Sequence, residues 1–461
     1  MKNGVIILAA GDGTRMKSSR PKVMCEVLEA PMIGWVIDSL FEAGFSPADI
    51  GVVVGNGADV VENYLKTRNI DKTFLQAERK GTGHAVMQAE SMLEDYDNIL
   101  LLCGDAPFMD SDTIRSALTA HAENKSSVTV VTAEIENPTG YGRIIRDKNN
   151  SLLGITEQKD CTEEEKLIKE INSGVYWFDA KALKNALPKL KTANAAGEYY
   201  ITDTIEIIRN EGGKTSAYCA ENGDIVLGAN SRKDLLNLNT IARMRVIDKH
   251  LSNGVEFVST DGIIIGKNVK IGADTKILPN TIIRGNTVIG KASVIGPNSV
   301  VEDCKIGDNV TLNNVQAFSS KIADNVKAGP FVHLRPNTIL HDSVKIGDFV
   351  EVKNSEVGVS TCIAHLTYVG DSDVGKDVNF GCGCVTANYD GVNKFRTVIG
   401  DHAFIGCNTN LIAPVEIGEN ATTAAGSTIT KSVPPDSLVI ERGQAKIIEN
   451  WEHNSKRIRK A

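Results

Sequence analysis

Over residues 262–430 the apolar side chains recur every six positions. Ile265, Ile271, Ile277, Ile283, Ile289, Ile295 and Val301 keep that step, and Gly266, Gly272, Gly290 and Gly296 follow four of these seven directly. The rhythm returns at Ile306-Gly307 and Ile346-Gly347, then runs through Ile399-Gly400, Ile405-Gly406, Leu411 and Ile417-Gly418. Six fits neither the helical period near ~3.6 nor strand alternation. It fits a parallel β-helix, whose triangular coils are three short strands with one aliphatic residue per side pointing inward. A glycine or small residue beside the aliphatic one lets the backbone turn a tight corner. One coil cannot bury its own aliphatic layer; stacked neighbours do so at roughly 4.7–4.9 Å per coil. Breaks in the rhythm at 313–321, 336–343 and 387–394 are expected to leave the prism as loops, where chemistry tends to sit. A purely structural prism would show the same repeat, and the period does not set its handedness.

At 461 residues the chain exceeds one compact core, so two domains are expected. We place them at 1–230 and 252–461, joined by a helix over 231–251 whose apolar residues step by three and four. A net charge of −8, spread rather than blocked, argues against a nucleic-acid-binding surface. The basic residues Lys456, Arg457, Arg459 and Lys460 read as a solvated terminus. No apolar run approaches the ~20 residues that span a bilayer, and the first residues carry no signal-peptide pattern. Nine cysteines at irregular spacing suit a reducing cytoplasm rather than a disulfide framework. Cys382-Gly383-Cys384 matches no common zinc spacing and reads as small residues on a coil side.

In the first half, residues 5–10 (VIILAA), 50–54 and 98–103 (NILLLC) are continuous apolar runs that suit central parallel strands buried on both faces. Helical spacing over 32–44 lies between the first two, which gives an α/β domain with a mostly parallel sheet. The turn Gly11-Asp12-Gly13-Thr14-Arg15 and Asp105 both stand at strand carboxyl ends, where such sheets bind ligands. The turn lacks the third glycine of a dinucleotide fingerprint and the Gly-Lys-Ser/Thr of a P-loop. It has Arg15 instead, and Lys22 shortly after. Glycines let backbone N–H groups approach phosphate oxygens, and the two cations answer the charge of a triphosphate. Alone, Asp105 would read as a turn or cap aspartate; beside this loop it is a candidate Mg²⁺ ligand.

Residues 8–16 (LAAGDGTRM) with Pro21-Lys22 resemble the signature of sugar-phosphate nucleotidyltransferases. Gln76-Ala77-Glu78, residues 81–85 (GTGHA), 140–143 (GYGR) and 197–203 (GEYYITD) narrow that resemblance. With the six-residue repeat, nearly the whole chain resembles the bacterial bifunctional N-acetylglucosamine-1-phosphate uridylyltransferase/glucosamine-1-phosphate acetyltransferases. The resemblance implies a Rossmann-like nucleotidyltransferase domain followed by a left-handed β-helix. It puts Leu8, Ala9, Ala10, Gly11, Gly13, Arg15 and Lys22 around UTP. Gln76, Gly81 and Thr82 read uracil, and Gly142, Glu157, Asn172 and Asn230 hold N-acetylglucosamine-1-phosphate. Asp105 and Asn230 ligate Mg²⁺. Cys103 stands where relatives often carry tyrosine.

In the second half, acetyl transfer to glucosamine-1-phosphate needs a base with a near-neutral pKa, for which histidine is the natural residue. His365, within residues 365–371 (HLTYVGD), matches the family motif that carries it. The resemblance assigns Arg335, Lys353, Tyr368 and Asn379 to the sugar phosphate. Asn388 assists the base or the amine, Tyr389 stabilises the oxyanion, and Lys394 reaches a phosphate from a neighbouring subunit. Cys382, Cys407, Ala425 and Arg442, with Asn388, Tyr389 and Lys394, match positions that contact acetyl-CoA. Cys382 and Cys407 stand where relatives often have alanine or serine, so thiol sensitivity is expected. A homotrimer with acetyl sites between subunits is implied on the same ground. Two other readings remain at this stage: a single nucleotidyltransferase with a regulatory β-helix, which His365 and the 388–394 motif oppose, and a non-enzymatic scaffold like translation-factor exchange subunits, which Arg15, Lys22 and Asp105 oppose.

Overall fold

The structure is a computed structural model and describes residues 1–11 and 13–451. Asp12 and the basic residues Lys456, Arg457, Arg459 and Lys460 lie outside the described residues. Contacts divide the chain into Met1–Ala242 and Arg243–Ala461, and the division falls within the helix Arg232–Ser252.

The first unit is built on a sheet of strands β1 (Asn3–Ala9), β2 (Ile50–Val54), β3 (Lys72–Leu75), β4 (Asn98–Cys103), β5 (Val128–Glu134), β6 (Arg143–Arg146), β7 (Leu152–Thr156), β8 (Glu170–Asp179) and β9 (Thr215–Cys219). They lie in the order β9-β5-β8-β4-β1-β2-β3, with the β6-β7 hairpin attached to β8. Pairing is parallel except for β8, which runs antiparallel to β4 and β5, and for the hairpin. The apolar runs become strands because helices cover both faces. Val5, Ile7 and Ala9 face one layer, which holds Ile33, Val36, Ile37 and Leu40 of the helix Met32–Glu42. Ile6 faces the other, with Val86, Leu93 and Phe178. Each such fully buried aliphatic side chain contributes about 1.5–3 kcal/mol. The chain leaves β1 for β2 on one side and later enters β4 on the other, so the strand order reverses at β1 and opens a crevice at its carboxyl end.

The second unit is a left-handed parallel β-helix with three faces of eleven, ten and nine strands. Inward residues keep the six-residue step from Ile265 to Val301 and are buried along that whole run. The breaks at 313–321 and 336–343 do not leave the prism as expected. Val315–Phe318, Lys321–Ile322 and Ile339–Leu340 are strands within it. Around 313–321 sides shortened to five residues explain the lost rhythm, since Leu312, Ala317 and Ile322 remain consecutive buried inward positions; across 336–343 Leu334, Leu340 and Ile346 keep the six-residue step, with leucine in place of isoleucine. Coils also continue regularly after Val350, through Val385–Ala387. The excursion at 387–394 does leave the prism, as a loop closed by a bridge between Tyr389 and Lys394 before Thr397–Ile399 resumes the coil.

One corner of the prism shows a change of side-chain type. Asn280, Asn298 and Asn314 take left-handed backbone there and form an amide ladder with 3.3 Å contacts, as asparagine tolerates that conformation. On the next three coils Phe331, Phe349 and Leu366 hold the same conformation, at φ 59°, 58° and 47°, although bulky residues do so rarely. They are 57%, 57% and 60% exposed, and the two phenylalanine rings stack with centroids 5.2 Å apart.

Two candidate active sites

A cavity of about 280 Å³ opens at the carboxyl ends of β1 and β4. Leu8, Ala10, Gly11, Lys22, Gln76, Gly81, Thr82 and Asp105 line it, so eight of the expected residues converge. Ala9 points into the core beneath. Gly13 lies behind Lys22: it has φ +57°, and a Cβ there would come within 2.7 Å of the lysine Cβ. Arg15 is not among the lining residues and sits exposed on the turn Thr14–Met16.

The Lys22 ammonium pairs with the Asp105 carboxylate and donates to Asn230 Oδ1 at 2.7 Å. Two hard oxygens thus converge on one positive charge. That donor set suits Mg²⁺, which usually takes one or two protein oxygens and completes its shell with phosphates and water. Among the described residues no group of three or more His, Cys, Asp or Glu could hold a metal by itself.

Gln76 is only 6% exposed, and its Nε2 donates to the Gly81 carbonyl at 3.1 Å. Gly81 has φ +103°, and a Cβ there would lie 2.5 Å from the Tyr199 carbonyl oxygen. The Gly83 N–H donates to that oxygen at 2.8 Å. The 81–85 and 197–203 motifs are therefore folded against each other, which explains why both belong to one site.

Gly142, Glu157 and Asn172 form a second group. A Cβ on Gly142 would stand 3.5 Å from Glu157 Oε2 and 3.6 Å from the Asn172 Cβ. Glu157 accepts from Thr202 Oγ1 at 3.2 Å, while Asn172 donates to the Tyr176 hydroxyl at 2.6 Å. Burial raises the Glu157 carboxyl above its ordinary value, outweighing the Thr202 hydrogen bond, with Asp203 and Asp160 adding to the rise. A raised folded-state pKa means that the fold favours the neutral acid. Stability from this group is present below the ordinary carboxylate range and is lost as pH rises through the folded pKa. We expect Glu157→Gln to raise the melting temperature at pH 8 relative to wild type. The gap should close below about pH 4, near the ordinary glutamate pKa. Calorimetry at the two pH values checks this.

Arg79, Val23, Ala85, Cys103 and Glu198 also line the cavity without having been assigned to it. Arg79 carried a signal, since Arg79-Lys80 is a basic pair between two of the quoted motifs. Glu198 carried one too, since it stands within the quoted 197–203 motif. Burial, then the Asp105 carboxylate, pushes the Cys103 thiol up to about 12, so it stays protonated at neutral pH.

In the β-helix, His365 ends the strand Cys362–His365 and is paired in register with Asp348 on the preceding coil. Its Nδ1 lies 3.3 Å from Asp348 Oδ1, with the two side chains 57% and 45% exposed. Both border a groove of about 380 Å³ that Lys327 and Lys345 also line. Around the corner, Arg335 donates to Glu351 Oε1 at 2.8 Å, and Glu351 is the register partner of Tyr368. Lys353 lies against Lys394, and their side-chain contact, then burial and the Lys394 charge, lower its pKa, with Asp371 opposing and Arg335 adding to the fall. Arg335, Lys353 and Lys394 thus bring three cations near one another, with the Asp371 carboxylate close to the two lysines. Asn379 sits on the coil after Cys362, on the face that carries His365.

Asn388 is buried and donates to Asp371, as does Asn354. Burial raises Asp371, but these two amides and the charges of Lys353 and Lys394 outweigh it and hold the carboxyl low. Tyr389 is exposed, and its hydroxyl donates to the Gly391 carbonyl within its own loop. The described contacts therefore tie Asn388 to Asp371 and Tyr389 to Gly391 rather than either to His365. Cys382, Cys407 and Ala425 stack on successive coils through backbone bonds of 2.8 and 2.7 Å, and Arg442 donates to the Ala425 carbonyl at 2.9 Å. This row spans roughly 10 Å at the usual strand spacing. Cys407 is exposed.

A family model described as nucleotidyl transferase matches residues 4–225, and one described as bacterial transferase hexapeptide (six repeats) matches residues 396–431. Curated proteins called Bifunctional protein GlmU match along almost the whole length. The one from Alkaliphilus metalliredigens is 45% identical over 98% of this chain and 98% of its own. Those from Acetivibrio thermocellus and Thermoanaerobacter pseudethanolicus are 46% and 48% identical over 97% of this chain and 96% of theirs. The chain belongs to the GlmU family. Both units take part in the match. No helix among the described residues is long and apolar enough to cross a membrane.

Proposed function

We propose that the cavity at β1 and β4 and the groove at His365 carry the two transfer steps of this bifunctional enzyme of UDP-N-acetylglucosamine synthesis. The enzyme transfers acetyl from acetyl-CoA to glucosamine-1-phosphate, then uridylyl from UTP to N-acetylglucosamine-1-phosphate with release of pyrophosphate. The observation that carries the assignment is the convergence of each expected set of side chains within its own unit: Lys22, Asp105 and Asn230 in the first, and Arg335, Lys353 and Lys394 near the His365 coil in the second.

In acetyl transfer, the sugar amine attacks the thioester carbonyl, a C–N bond forms and the C–S bond breaks. His365 takes the amine proton on Nε2 while Asp348 faces Nδ1; the thiolate then leaves as the thiol with that proton. The cations Arg335, Lys353 and Lys394 hold the phosphate and fix the amine over the imidazole. Lys394 sits beside Lys353 of its own chain here, and its reach to a neighbouring subunit belongs to the assembled form.

In uridylyl transfer, a phosphate oxygen attacks the α-phosphorus and pyrophosphate leaves. The nucleophile is already anionic, so no general base is required; the obstacle is repulsion. Two like unit charges at about 4 Å repel by about 4 kcal/mol at an effective dielectric near 20. Lys22 offsets part of this. Asp105 and Asn230 would hold Mg²⁺, which supplies charge neutralisation across the phosphates when bound. Glu157 and Asn172 orient the sugar from the far side.

The test is two assays on one preparation: free thiol released from acetyl-CoA with glucosamine-1-phosphate, and pyrophosphate released from UTP with N-acetylglucosamine-1-phosphate. Loss of either reaction would remove the corresponding half of the reading.

The assembly is a homotrimer, with the corner carrying Phe331, Phe349 and Leu366 against a second copy. Stacked apolar rings left in solvent beside a catalytic histidine favour coverage by a partner. We expect Phe331→Glu with Phe349→Glu to shift the sedimentation coefficient toward that of a monomer and to weaken acetyl transfer. Wild-type sedimentation in the double variant would place the interface elsewhere. The nine free cysteines fit a cytoplasmic enzyme.

A further inference from the structure

We propose that His84 is a positioning residue that sets which pyrimidine the nucleotide cavity accepts, by fixing the side-chain amide of Gln76. The inference rests on the assignment of Gln76 to the base.

The contact from Gln76 Nε2 to the Gly81 oxygen assigns the amide's orientation, because a carbonyl can only accept. Gly81 cannot readily swing its carbonyl away, being held at φ +103° against Tyr199. The same Nε2 lies 3.2 Å from His84 Nδ1. With one hydrogen on Gly81 and the other on His84, Gln76 has only Oε1 left for a ligand. Among the described residues Oε1 accepts no hydrogen bond. Nor is it enclosed, since the buried unpartnered side-chain atoms among the described residues are Arg143 Nε, His250 Nδ1 and Thr397 Oγ1. The cavity therefore meets Gln76 as a pure acceptor.

A pure acceptor welcomes a ring N–H and repels a bare ring nitrogen. Uracil offers N3–H, whereas cytosine offers a lone pair at N3. If the amide were released from His84 it could turn, present its NH₂ and accept cytosine. His84 is itself held by its stack on Tyr199, with centroids 6.5 Å apart, and by Gln88, whose Nε2 donates to the His84 carbonyl oxygen at 3.0 Å. Its grip on Gln76 requires a lone pair on Nδ1, which only the neutral ring has. The charged and titratable groups around it are Glu78, which feels the His84 charge, together with Tyr199 and the Lys80 ammonium near that tyrosine.

The experiment compares kcat/KM for UTP and CTP in the full-length wild type, His84→Leu, His84→Asn and Gln76→Ala, with thermal unfolding of each. Leucine removes the acceptor; asparagine supplies an oxygen near the place of Nδ1. We expect His84→Leu to reduce the UTP preference at least about tenfold, mainly through KM, because a misoriented polar group then faces the base. His84→Asn should retain most of the preference. The comparison of His84→Asn with wild type and Gln76→Ala stands even if the leucine variant does not fold. Unchanged preference in His84→Leu, or equal loss in both histidine variants, overturns the inference. If Gln76→Ala keeps the wild-type preference, the base assignment fails instead.

Discussion

Replacing His365 by alanine should lower acetyl transfer by about 10²- to 10⁴-fold, the range typical for loss of a general base. Uridylyl transfer should stay at the wild-type rate when N-acetylglucosamine-1-phosphate is supplied. The separation follows from position: His365 and Asp348 sit on adjacent coils of the second unit, within Arg243–Ala461, while the nucleotide cavity is lined by residues of Met1–Ala242. The alanine leaves the phosphate subsite of Arg335, Lys353 and Lys394 untouched, so KM for glucosamine-1-phosphate should move less than kcat. Acetylation at a near-normal rate would show that another group takes the proton.

Much of this was legible in the sequence, and the exceptions have physical reasons. The strands Ile50–Val54 and Asn98–Cys103 begin and end where they were read, because each is an unbroken apolar run stopped by a glycine. The β-helix was legible because each six-residue side repeats one inward aliphatic. At 313–321 sides of five residues were misread as a loop, since deleting one corner residue shifts the written rhythm while leaving the inward column intact at Ala317 and Ile322; at 336–343 the step of six holds at Leu334, Leu340 and Ile346, and leucine in the inward place hid it. Spacing gave Arg15 and Lys22 equal standing as loop cations. The turn Thr14–Met16 leaves the first exposed, and Gly13 packs against the second, which no local pattern encodes. Arg79 and Glu198 lie beside or within quoted motifs, but only the folding of the two segments against each other brings them to the cavity. Asp348 was missed although it stands one coil before His365, a relation the repeat itself makes countable.

Lys22→Ala and Asp105→Ala should each reduce uridylyl transfer by about 10²- to 10³-fold, the usual cost of removing a preorganised charge from a reacting phosphate. Acetyl transfer should be unaffected. The two variants are expected to part company in their response to Mg²⁺. In wild type the Lys22 ammonium contacts both candidate ligand oxygens, Asp105 and Asn230 Oδ1, so lysine and metal compete for them until substrate phosphate draws the lysine away. Removing Lys22 takes out the competitor, and the Mg²⁺ concentration for half-maximal rate should fall or hold steady even as kcat drops. Removing Asp105 takes out the carboxylate, so that concentration should rise and excess Mg²⁺ should recover part of the rate. Titrating Mg²⁺ at saturating UTP separates the roles. UDP-sugar formation unchanged in either variant would detach this cavity from the reaction. A common Mg²⁺ response in both would mean that Lys22 and Asp105 act as one ion pair rather than as phosphate cation and metal ligand.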